Sequence, residues 1–353
     1  MKLFGHFIQV EGAGILSSKR KKIVEGVLKK VGSDRLLSMY KSFNAIRDFE
    51  KKKYEVVFPC NFSHSVTGPL RFTNIDMEIH GFSFLKDNFI GRQMHDVLDK
   101  DELLKKEVIS YVIFNQEAFD EFDAIDQANN RIELFRSLLN FYKSFGNNAK
   151  ETCRPSYLSS IHPPKYVFVF DDKKNFITMS GVFGDYDYKP VNFSKQEITE
   201  VESLVHKVNC IGDYDLKYLL FKALIQHTDA LDEVAPEAAF SEYWKVLEVL
   251  SLGNEDGIEG PEACLRLKSL FVDKEACPVR RLYRKLDDPS KISSNDLNNI
   301  KSVAQETIMF LFNNSETLGG KEGLLALYKK NQTKLLPPKP KKRTPEKKKA
   351  KKK

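Results

Sequence analysis

Tryptophan occurs once in the 353 residues, at Trp244, and histidine occurs seven times with none beyond His227. The five cysteines (Cys60, Cys153, Cys210, Cys264 and Cys277) are odd in number and widely spaced. No pair stands at a CxxC or other zinc-ligand spacing, which argues against a disulfide framework or a structural metal site. Long apolar runs are also missing. Stretches such as Tyr166–Phe170 fall far short of the roughly 20 residues that span a bilayer. The first residues, MKLFGHFIQVEGAG, place His, Gln and Glu too early for a secretory signal. These absences predict reduced thiols and a soluble, cytoplasmic protein without a membrane partner. No motif calls for a cofactor or metal: HExxH, GxSxG and Walker A sequences are absent.

What is present is charge, unevenly placed. Lys and Arg number 56 against 49 Asp and Glu, a formal net charge of +7. Residues 337–353 (PPKPKKRTPEKKKAKKK) carry ten basic side chains and one acid, a local +9, which leaves residues 1–336 at −2. The basic isoelectric point therefore belongs to a short terminal segment, and the body is no broadly basic nucleic-acid binder. Proline and like charge predict a disordered tail.

Hydrophobic patterning divides the rest. Lys2–Val10, Tyr54–Cys60, Leu70–Phe84, Lys165–Asp171 and Asn175–Phe183 read as strands. Lys19–Val31 and Asn130–Phe145 have amphipathic helical spacing, and a helix is expected between about Asp99 and Phe122. From about residue 192 the pattern is helical throughout. Ser194 with Glu197 is a capping box, Asp213 or Asp215 can cap a second helix, and Pro236 sets the start of a third, Ala238–Leu252. Pro261 opens a fourth, Pro278–Leu286 a fifth, Ser293 or Ser294 caps a sixth over Asp296–Asn313, and Lys321–Lys330 fits a seventh.

The third of these helices reads AAFSEYWKVLEVL, with Phe240, Trp244, Leu247 and Glu248 sharing a face. The string resembles the Trp-x-x-Leu-Glu signature of the Apea-like branch of the HEPN superfamily, helical domains of bacterial defence and RNA-cleaving systems. The resemblance covers about residues 195–315. Together with the patterning of the first half and the charge of the tail, it gives an α+β protein in three parts: an N-terminal mixed strand/helix domain over 1–190, an all-α HEPN-like bundle over 191–330, and a Lys-rich tail over 331–353. It also implies pairing of bundles into a homodimer. Active members carry an Arg followed four to six residues later by His. Here Arg280, Arg281 and Arg284 are followed by no His, so the imidazole that would serve as acid or base is missing.

The expected role is therefore non-catalytic, a nucleic-acid-associated or dimerisation protein of a defence or RNA-processing system. The enzyme alternative is a metal-independent RNase with a diverged site built from Arg281, Arg284 and Glu248, with Tyr283 beside them. A third alternative is a protein-binding regulator or sensor. Phe240, Trp244 and Leu247 are expected in the core. Glu248 on that stripe should be buried and paired with Arg281, Arg284 or Arg266, because an unpaired buried acid costs several kcal/mol. RNA or DNA contact would use the tail residues Lys341, Lys342, Arg343, Lys347, Lys348 and Lys349. Lys19, Arg20 and Lys22 on the first helix would join them. Residues 12–17 (GAGILS) read as an ordinary strand-to-helix turn with too few glycines to cradle a phosphate.

Overall fold

The computed structural model describes residues 51–64, 68–72, 76–81, 84, 88–98, 110–145, 161–164, 166–181, 191–252, 260–271 and 278–335. Lys19, Arg20, Lys22 and every tail residue named above lie outside the described residues, as do the expected elements Lys2–Val10 and Lys19–Val31.

The chain is a mixed α+β protein. Its N-terminal half contains strands β1 (Lys52–Cys60), β2 (Phe62–His64), β3 (Leu70–Phe72) and β4 (Met77–Gly81), helix α1 (Phe89–Leu98), strand β5 (Ser110–Ala118), helix α2 (Glu121–Ser144), and strands β6 (Tyr166–Asp171), β7 (Phe176–Gly181) and β8 (Val191–Phe193). Six of them form one antiparallel sheet in the order β3-β4-β5-β1-β6-β7, while β2 and β8 pair in parallel beside it.

Two sequence expectations are corrected here. The helix expected within 99–122 is in part a strand: β5 lies in the sheet interior and pairs with β1 from Lys52 opposite Ala118 to Cys60 opposite Ser110. Its first five residues, SYVIF, are all buried, so the alternation that marks a half-exposed strand is missing. The expected strand Leu70–Phe84 is instead a hairpin of β3 and β4, turned near Asp76, which holds a positive φ of 47°.

Each sheet face has its own cover. Val56, Phe58, Val112, Phe114 and Val169 pack beneath α2 through Ala124, Ala128, Ile132, Phe135 and Leu139. On the opposite face Val57, Tyr111, Ile113, Phe168 and Phe170 meet Ile90 and Met94 of α1. Gln93 fastens α1 to the β6–β7 hairpin: its amide donates to the Lys174 carbonyl at 2.9 Å and its oxygen accepts from Phe176 N–H at 3.1 Å.

The second half is helical: α3 (Lys195–Cys210), α4 (Tyr214–Asp232), α5 (Pro236–Leu250), α6 (Gly260–Leu270), α7 (Val279–Tyr283), α8 (Ser294–Leu318) and α9 (Lys321–Leu335). Local chemistry explains the boundaries. Ser194 and Ser293 each form a full capping box, with Glu197 and Asp296, and Asp213 caps α4 by accepting from Leu216 N–H. Gly319 ends α8 in the left-handed conformation, φ 64°. Several bounds differ from the pattern reading: α2 begins at Glu121 instead of Asn130, α7 ends at Tyr283 instead of Leu286, α8 continues to Leu318 past Asn313, and α9 continues to Leu335, past the expected tail boundary at 331.

The halves share one contiguous hydrophobic core that runs from Tyr54 of β1 to Tyr328 of α9. Helix α2 is its hinge-pin: one side lies on the sheet, and the other packs against α4. None of the described helices is long and apolar enough to cross a membrane.

Candidate functional site

Helix α5 opens with Pro236 at its first turn, and its apolar stripe enters the bundle. Phe240 and Leu247 are fully buried and Trp244 nearly so, as the spacing predicted. Glu248 departs from expectation. It is half-buried instead of buried, and its carboxylate accepts the Trp244 indole N–H at 2.8 Å, one helical turn back. Two of the residues that carry the resemblance thus satisfy each other. The Trp244 ring also meets Tyr283 of α7, 5.2 Å between centroids, and Tyr283 packs over Gly260 at the start of α6. A side chain at Gly260 would overlap the Tyr283 ring.

None of the three arginines expected to pair with Glu248 does so. Arg266 donates to the Ser251 carbonyl at 3.0 Å and lies 3.7 Å from Glu262. Arg281 is exposed and lies 3.8 Å from Asp296. Arg284 is exposed, in the turn that follows α7, without an ion-pair partner among the described residues. The reason is geometric: α7 is only five residues long, so its arginines project outward while Val279 and Leu282 take the core positions.

Asp296 is the acid that anchors this basic turn, a role the sequence reading missed although the Ser293-x-x-Asp296 spacing signalled a cap. Hydrogen bonds from Ser293 and then Lys285, 3.4 Å away, hold its carboxyl below the usual range despite burial. Asp288 is likewise held low, by Lys291 and Ser290. Carboxylates fixed in the ionised form are poor proton donors and weak bases at neutral pH. They also offset the charge of Arg281 and Lys285.

The last histidine, His227, does not approach this turn as a working group. It is fully buried in the bundle, with Phe141 and Tyr243 each 5.5 Å away, ring to ring. Gln305 donates to its Nε2 at 3.2 Å, and Lys301 is buried nearby. Burial, reinforced by Lys301, lowers the His227 pKa to about 3, so the ring is neutral; burial alone lowers Lys301 to about 8. Neither group is open to a substrate.

A second charged cluster joins the halves. Arg136 of α2, 3% exposed, pairs with Glu133 at 2.6 Å and Asp232 at 2.8 Å, and donates to the Ile161 carbonyl at 3.2 Å. Asn140 holds both the N–H and the C=O of Ile161, each at 2.8 Å. Asp229 sits at the edge of this cluster, and burial, followed by repulsion from Glu133, raises its pKa to about 6. Among the described residues no group of His, Cys, Asp and Glu has the arrangement of a metal site.

Searches against protein-family profiles, curated proteins and solved structures find no match to this chain.

Proposed function

We propose that this protein is a non-catalytic, nucleic-acid-associated module, in which the helical bundle presents basic side chains to a phosphate backbone and serves as the dimerisation unit. The observation that carries the reading is the outward basic turn: Arg280 and Arg281 of α7 and Arg284 immediately after it are all exposed. The Lys-rich segment 337–353 adds its +9 two residues beyond the end of α9. Helix α6 packs against both α7, which carries the turn, and α9, which precedes the tail in the chain. Extended, 17 residues reach roughly 55–60 Å, far enough for both to engage one polyanion. The resemblance of the Trp244–Glu248 string to Apea-like HEPN domains supports a place in a bacterial defence or RNA-processing system.

The test is binding of labelled RNA across a salt series, together with a metal-free cleavage assay. The reading expects a steep salt dependence that flattens when residues 337–353 are removed, and no cleavage. Cleavage abolished by Arg284→Ala would replace it with the diverged RNase.

One observation favours the protein-binding alternative. Strand β7, at the edge of the six-stranded sheet, leaves Phe176, Ile177 and Met179 about 40% exposed. An apolar edge strand suits β-strand addition by a partner.

A further inference from the structure

Helix α4 buries Leu216, Leu219, Leu220, Ala223 and Leu224 against the bundle. On a 3.6-residue repeat the opposite arc is centred on Tyr214, Tyr218 and Phe221. A soluble surface helix ordinarily carries charge there. Instead Tyr214 is 69% and Tyr218 51% exposed, among the most exposed large hydrophobic side chains described. Their rings are nearly parallel, 13° apart with centroids at 6.5 Å. Phe221 continues the row, half-buried, with the Lys217 ammonium 5.7 Å from its ring centre.

We propose that Tyr214 and Tyr218 form a stacking platform for unpaired nucleobases, and that the nucleic acid this protein engages is single-stranded. The inference rests on the nucleic-acid reading above and adds the ligand class and the surface. Parallel, exposed rings offer flat π faces that any base can cover, and such stacking is tolerant of sequence. The flanks supply charge for the backbone: Lys217 on one side and Lys222 on the other, against Asp215. The neighbouring Asp213 carboxylate is directed inward, accepting from Leu216 N–H at 2.7 Å and from Lys321 N–H at 3.3 Å. That second contact also sets the start of α9 beside the platform. Helix α9 is 15 residues long, so it carries the chain about 22 Å before the Lys-rich segment begins. A duplex, with its bases already stacked, would gain nothing from the rings.

The patch is narrow, two tyrosines with a half-buried Phe221, whereas a stable interface between copies buries upwards of roughly 1,000 Å². That favours a strand over a second copy as occupant.

The experiment uses the full chain, a fluorescent single-stranded RNA of about ten nucleotides, and a duplex of the same length. Both tyrosines are exposed, so their replacement leaves the core intact. The double variant Tyr214→Ala/Tyr218→Ala should weaken single-strand binding about 30-fold and duplex binding less than about two-fold, while Tyr→Phe at both sites restores single-strand affinity. Equal losses on single strand and duplex, or none on either, would overturn the platform while leaving the tail-dependent binding of the parent reading intact. A wild-type dimer converted to monomer by the alanine pair would assign the surface to a second copy and overturn it too. No RNA binding by the unaltered protein would sink both readings together.

Discussion

Arg136 and Asp232 stand 96 positions apart in the chain and 2.8 Å apart in space, and their ion pair ties the helix under the sheet to α4, the second helix of the bundle. Because Arg136 is 3% exposed and its other donors are taken by Glu133 and the Ile161 carbonyl, removing the cation would strand two carboxylates, while the carbonyl would keep its bond from Asn140. Arg136→Met should cost about 3–5 kcal/mol in urea unfolding. Asp232→Asn should cost less, since Glu133 still answers the charge, and a double-mutant cycle would give a coupling of about 1 kcal/mol or more. Additive losses would show that the pair does not bridge the halves.

Asp229 makes the same junction sensitive to pH. Its folded pKa of about 6 exceeds the ordinary 3.8, so the folded state holds the proton more tightly. Its contribution is complete below pH 3.8 and is lost as pH rises through 6. Asp229→Asn should therefore raise stability at pH 7.5 by about 1 kcal/mol, discounted for partial exposure, with the gain shrinking towards pH 4. Thermal melts of both proteins at pH 4, 5.5 and 7.5 measure it.

His227 behaves in the opposite sense. Its folded pKa of about 3 lies below the ordinary 6.5, so acid draws protons into the unfolded state and the protein weakens as pH falls from 6.5 towards 3. At pH 4.5 the expected loss is about 2–3 kcal/mol. His227→Met should remove most of that acid-side slope, visible as a flatter urea midpoint against pH.

The sole tryptophan reports on its own turn. Glu248→Gln retains an acceptor for the Trp244 indole and should cost less than about 1 kcal/mol, whereas Glu248→Leu leaves the N–H unanswered at about 1–3 kcal/mol. Trp244 is 3% exposed, so native fluorescence should be blue-shifted and should move to the red on unfolding at a lower denaturant concentration in the Leu variant. Equal behaviour of the two variants would mean that the indole bond contributes nothing.

How much of this could be read from sequence depended on range. The capping pair Ser194–Glu197 was legible, because a cap is a contact over three residues, and the cap of α8 was narrowed to Ser293 or Ser294, of which the structure selects Ser293. Strand β5 was not: a strand flanked by β4 and β1 and covered on both faces loses the period that distinguishes it from a helix. Glu248 was assigned a distant arginine when the nearest donor was one turn away on its own helix. Arg136 and Asp232 carry no local pattern, and nothing but the folded chain brings them together. The tyrosines escaped notice because α4 has aromatic or aliphatic side chains on both faces, and periodicity alone cannot say which face turns outward.

Strand order also sets a timetable. Strand β1 pairs with β5 on one side and β6 on the other, and both are encoded after it. The end of β5 lies roughly sixty residues downstream of β1, so at ribosomal rates of about 5–20 residues per second its apolar segment Val56–Phe58 waits some 3–12 s for a first partner. The second partner, β6, comes about fifty residues later still. The sheet cannot zip from its N-terminal end. It must close around β1 after most of the surrounding chain has been made, and during that interval the apolar segment stands without its strand partners.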